Sequence, residues 1–70
     1  MKYKEIVKAV KAVKGGKKLW KEVYNQNFGP NNWDDFSAAC YIATKAVCPE
    51  LDASGANANT WNAVASRLDR

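Results

Sequence analysis

The chain is 70 residues long with a mass of 7.8 kDa, which is room for one small domain of three or four short helices and excludes two cores or a separate lid over an active site. With 47% hydrophobic and 26% charged residues it has the balance of a globular domain, and it contains no stretch of 18 uncharged apolar residues that could cross a bilayer. The formal net charge of +4 is unevenly spread: residues 1–22 carry eight lysines against two glutamates, a balance of +6, while residues 23–70 carry three basic against five acidic residues, a balance of −2.

Tyr3, Ile6, Val7, Val10 and Val13 fall at helical spacing, with Ala9 and Ala12 alongside, and predict an amphipathic helix over residues 3–14. Lys4, Lys8 and Lys11 recur at i, i+4 and i+7 and form a stripe on its other side, with Lys2 and Lys14 near the ends. Gly15-Gly16 is expected to stop the helix, because glycine tolerates the left-handed conformation of a C-terminal cap and Lys14 suits the negative end of the dipole. A double glycine also ends some bacteriocin leaders, which would make residues 1–16 removable. Those leaders are generally acidic, whereas this segment is basic, so the cap is the preferred reading.

A second helix is expected over residues 17–27, burying Leu19, Trp20, Val23, Tyr24 and Phe28. Phe28-Gly29-Pro30-Asn31 then reads as a turn, and Asn32 as the N-cap of a third helix with Asp34 and Asp35 in its first turn. That helix, residues 33–47, is the least polar segment: Phe36, Ala38, Ala39, Cys40, Tyr41, Ile42, Ala43, Ala46 and Val47 cover most of its circumference. A helix apolar nearly all round is a buried one, so it is placed at the centre, with a homodimer contact as the alternative cover. Pro49 ends it. Residues 49–59 read as a surface loop with one turn at Pro49–Asp52 anchored by Leu51. Asn59 is expected to cap the last helix, where Trp61, Val64, Ala65 and Leu68 repeat at i, i+3, i+4 and i+7. No strand alternation is found. The expected fold is therefore a single all-α domain spanning residues 1–70, a compact bundle of about four short helices.

Signals for chemistry are few. Cys40 and Cys48 would lie about 12 Å apart on one continuous helix, beyond the reach of a disulfide, and so are expected to be reduced, core-facing thiols of a cytoplasmic protein. With no histidine, the sequence lacks the usual base for a serine or cysteine nucleophile and the ligands of a structural zinc site. Asp34 and Asp35 are adjacent and point apart on a helix, and Gly15-Gly16-Lys17-Lys18 lacks P-loop spacing. The expectation is a non-enzyme with no cofactor and no metal. The three tryptophans are read as core. The segment 61–68 resembles the Trp-x-x-hydrophobic-Ala-x-x-Leu helix of Myb-like and other helix-turn-helix proteins, and residues 29–33 the turn before such a helix. This resemblance covers under a quarter of the chain and assigns no family.

What remains is the basic segment. Lys4, Lys8, Lys11, Lys14, Lys17, Lys18 and Lys21 are the expected nucleic-acid contacts, meeting phosphates with little sequence specificity, since lysine supplies charge without the bidentate base reading of arginine. A small binding module of this kind, of phage or mobile-element type, is the leading expectation. The alternatives are a cationic, bacteriocin-like peptide acting on anionic membranes, and a protein-interaction or inhibitor domain with an acidic protein surface as partner. Against the membrane alternative, the apolar side of the first helix is mainly valine and alanine, a poor anchor.

Overall fold

A computed structural model describes residues 2–28 and 35–69 of the chain. Within them are four helices and no strand: α1 (Tyr3–Ala12), α2 (Gly16–Asn27), α3 (Phe36–Val47) and α4 (Ala58–Leu68). Each helix touches the other three, with α2 packed chiefly on α3 and α1 on α4. The radius of gyration, 10.7 Å, matches the roughly 11 Å of a folded chain of this length. The all-α bundle is as the sequence predicts.

The apolar stripes meet in one core. Ile6, Val7 and Val10 enter it from α1, Trp20 and Tyr24 from α2, Ala39, Cys40, Ala43 and Val47 from α3, and Trp61, Val64, Ala65 and Leu68 from α4. Trp20 is wholly enclosed, and its indole Nε1–H donates to Thr44 Oγ1 at 3.0 Å. Thr44 is itself fully buried and donates its hydroxyl proton back to the Cys40 carbonyl at 2.9 Å. Among the described residues every buried side-chain nitrogen and oxygen thus has its partner, which is the condition for burying it at all. Tyr24 stacks on Trp20 with ring centres 5.1 Å apart, and the edge of Phe36 meets Tyr24 at 6.0 Å. Such aromatic pairs add about 0.5–1.5 kcal/mol each beyond the area they bury.

Local chemistry accounts for the helix ends. α1 stops at Ala12, two residues earlier than the periodicity suggests, because Val13 turns extended (ψ 129°). Only three residues, Val13, Lys14 and Gly15, separate α1 from α2. Gly15 is left-handed, with φ 70°, but as the N-cap of α2 rather than the C-cap of α1. Gly16 is needed for a different reason: a Cβ there would collide with the Val10 carbonyl oxygen and press on Val13 and Val47. The double glycine therefore shapes a helix hairpin. α3 begins at Phe36 with Asp35 as its cap, accepting from the Ala38 N–H at 2.6 Å, so Asp35 takes the role expected of Asn32. Asn31, Asn32, Trp33 and Asp34, like Gly29 and Pro30, lie outside the described residues. Asn57, not Asn59, caps α4, its Oδ1 accepting from the Thr60 N–H and hydroxyl.

Three residues of the expected apolar faces are on the surface: Val13 is 40%, Leu19 41% and Phe28 43% exposed. Phe28 nevertheless continues the aromatic row, 5.5 Å from Tyr24 and 5.6 Å from Phe36. α3 touches the other three helices, as each helix does, so these contacts do not single it out as the centre, and its Ile42 edge stays open. After Pro49 a turn closes through Leu51 N–H to Cys48 O, and buried Ala53 pins the rest of the loop against the core.

Replacing Thr44 by valine keeps the shape and removes the acceptor for Trp20, so the buried indole N–H is left bare. The expected loss is about 1–3 kcal/mol, lowering the melting midpoint by about 4–8 °C per kcal/mol in a domain this size. Thermal unfolding followed by circular dichroism checks this. The double variant Trp20→Phe, Thr44→Val is expected to lose less than the sum of the two single losses, because deleting the donor removes the orphan.

Candidate functional site

The lysine stripe is ordered and faces outward. Lys4, Lys8, Lys11, Lys14, Lys17, Lys18 and Lys21 are all exposed, on α1, on α2 and in the turn between them. Among the described residues none of them is held in an ion pair. Glu5 and Glu22 stand exposed on α1 and α2 without pairing with them, while Asp35 caps α3 and Asp52 accepts from the Ser54 N–H and hydroxyl, which holds its carboxyl below the usual aspartate range.

The hairpin divides six of the seven lysines between two depressions. A cleft of about 580 Å³ opens at the α1–α2 turn, with Lys11, Lys17, Lys18 and Lys21 around Val13 and the two glycines. A groove of about 450 Å³ runs between α1 and α4, lined by Lys4, Lys8, Lys11, Tyr3, Val7 and Arg67. Lys11 belongs to both and makes them one basic surface. Lys14 lines neither and stands alone on the turn.

The start of α2 adds to this field. A helix N-terminus carries unpaired N–H groups and partial positive charge, which acidic side chains normally offset. Here Gly15 has no side chain to cap it, no acidic residue stands in the first turn, and Lys17 and Lys18 do. The arrangement opposes local stability and favours an anion placed against it.

Arg67 is the member of the surface that sequence reasoning missed. Its guanidinium carbon lies 4.3 Å over the centre of the Tyr3 ring, Nη1 donates to the Ala63 carbonyl at 2.9 Å, and Nη2 donates to the Tyr3 hydroxyl at 3.3 Å. Sixty-four residues separate Tyr3 from Arg67, so only the packing of α4 on α1 brings them together. No local pattern could signal it.

Both thiols are free. Burial, with the nearby Asp69 carboxylate as a lesser cause, pushes the Cys40 thiol up to about 12, and burial also raises Cys48. Neither is the thiolate a nucleophile or metal ligand requires. Among the described residues no three cysteine or carboxylate side chains gather as a metal site, and no helix is long and apolar enough to cross a membrane.

No protein family, curated protein or solved structure shows significant similarity to this chain.

A thiol held protonated has a signed consequence for stability. The folded Cys40 keeps its proton up to about pH 12, whereas the unfolded chain releases it near the ordinary value of 9. Stability is therefore full below pH 9 and declines as the pH climbs from there towards 12. Tyr24, raised chiefly by burial, acts in the same direction. Denaturant midpoints across that range are expected to fall. In a thiol-reagent titration at neutral to mildly alkaline pH, half-buried Cys48 is expected to react in the native protein and fully enclosed Cys40 only after unfolding.

Proposed function

We propose that this chain is a small, non-enzymatic binding module whose lysine-rich α1–α2 face engages nucleic acid with little sequence specificity. The observation that carries the reading is the continuity of the basic surface through Lys11, with two depressions on either side of it and no lysine spent on an internal ion pair among the described residues. Phosphates are the ligand such a surface suits: counterions released from them supply affinity, and compact ammonium groups meet each phosphate as point charges without selecting a base. The uncapped, lysine-flanked start of α2 supports the same reading, since it is favourable only when something negative covers it.

The membrane alternative is less well supported. A cationic peptide would use its tryptophans to enter lipid, but Trp20 and Trp61 are both in the core, so inserting them requires the fold to open. An acidic protein surface would meet the same lysines, and it competes with nucleic acid as the partner.

At about 50 mM salt, short duplex DNA is expected to be retarded in a gel, and the triple variant Lys4→Glu, Lys8→Glu, Lys11→Glu is expected to abolish the shift while its circular dichroism stays unchanged. If about six phosphates are engaged, the logarithm of the binding constant falls with the logarithm of salt with a slope of about −5. No retardation by the intact protein at low salt overturns the reading. Dye release from anionic vesicles in its place points to the membrane alternative.

A further inference from the structure

The α1–α4 groove differs in kind from the cleft at the turn. The cleft offers lysines around a valine and two glycines, which are point charges over a small apolar floor. The groove brings Lys4, Lys8 and Lys11 together with the Arg67 guanidinium, whose carbon lies over the Tyr3 ring. The guanidinium is fixed in place by the Ala63 carbonyl and the Tyr3 hydroxyl. Those bonds occupy two of its five N–H donors. Arg67 is exposed and lines the groove, so the guanidinium held over the tyrosine ring is accessible to the groove's occupant.

A pre-oriented planar cation on an aromatic ring is a surface on which a nucleobase stacks, with the remaining N–H groups free for a phosphate or a base edge. Only an unpaired base has a face to offer, because in a duplex the faces are covered by neighbouring pairs. Lys4 and Lys8 are separated by about 6 Å of helix rise and Lys8 and Lys11 by about 4.5 Å, so the lysine stripe runs alongside an extended strand rather than gripping a single point.

Building on the nucleic-acid reading above, we propose that the α1–α4 groove is a subsite for single-stranded nucleic acid, in which one unpaired base stacks on the Arg67–Tyr3 platform while the flanking phosphates lie on Lys4, Lys8 and Lys11. Duplexes use the lysines alone. The module then prefers single strands for a structural reason, without reading sequence, since every base has a π-face.

The test compares the full chain's affinity, by fluorescence anisotropy, for a labelled oligo(dT) of about 12 nucleotides and for a duplex of equal length. The single strand is expected to bind about tenfold tighter, the effect of one stacked base. Arg67→Lys keeps the charge and removes the plane, and is expected to erase most of that preference, read as the ratio of the two affinities. Tyr3→Leu is expected to do the same, and Tyr3→Trp to retain the preference. Equal binding of both oligonucleotides by the intact protein, or an undiminished preference in Arg67→Lys, overturns the stacking subsite and leaves the charge-based reading standing. Binding of neither oligonucleotide overturns both. Because Arg67 is exposed, a melting curve for Arg67→Lys that superimposes on the parent's separates lost stacking from lost folding.

Discussion

The hydrogen bond from Trp20 to Thr44 is the constraint around which this small fold is arranged. A chain of this size has few residues to enclose anything, and an indole needs both a large apolar envelope and an acceptor for its one polar atom. Thr44 supplies the acceptor from α3, and because its own proton goes to the Cys40 carbonyl one turn back, it brings no unsatisfied group with it. The bond therefore selects the face of α3 that meets α2. Ala39, Cys40, Ala43 and Val47 lie on that face and are small enough to let the helices approach, and Tyr24 stacks on the indole with the Phe36 ring packed in turn on Tyr24.

Fixing α2 in this way decides where the charges go. With Trp20 and Tyr24 turned inward, α2 still leaves Lys17, Lys18 and Lys21 exposed, and the three-residue connection to α1 sets the Lys11 side of that helix beside them. Gly16 makes the short connection feasible, since any side chain there would strike the Val10 carbonyl. The polarised charge distribution in the sequence thus becomes a basic surface in space. Its places of local conflict are informative. α3 and α4 obey the rules of capping and dipole complementarity, with Asp35 and Asn57 at their N-caps and Lys45 and Arg67 in their last turns, and α1, though it lacks a side-chain cap, has Glu5 in its first turn. The beginning of α2 breaks them, and it lies in the basic cleft. Local rules are commonly broken at sites kept for function.

How much could be read before any coordinates existed follows from which forces are local. The cores of α1 and α4 were legible because Ile6, Val7 and Val10, and Trp61, Val64, Ala65 and Leu68, obey the helical period, and the period is a property of the chain itself. The outward lysines were legible for the same reason. Leu19 and Phe28 misled because α2 carries more apolar surface than its neighbours can cover, and periodicity reports only what a helix offers, not what arrives to bury it. The caps were displaced because Asn57 and Asn59 are equivalent in sequence terms, and the choice between them is made by which backbone N–H groups lie within reach. Ala53 gave no sign of being a core residue, since alanine in a polar loop is unremarkable until the loop folds back.

Arg67 shows the limit of that reading in the sharpest form and also why the limit matters for function. In sequence it is a late basic residue in the less basic part of the chain, suited to the negative end of its helix dipole and to nothing else. Only the packing of α4 on α1 gives it a second role, because Leu68 and Val64 must enter the core beside Ile6 and Val10, and that register leaves Arg67 over Tyr3. The same apolar contacts that stabilise the bundle thus build a place on the basic surface where charge and a flat ring coincide. A lysine stripe alone is common on small soluble helices and selects nothing. A stripe beside a guanidinium that is already oriented has shape as well as charge, and shape is what allows a surface of this size to distinguish one polyanion from another.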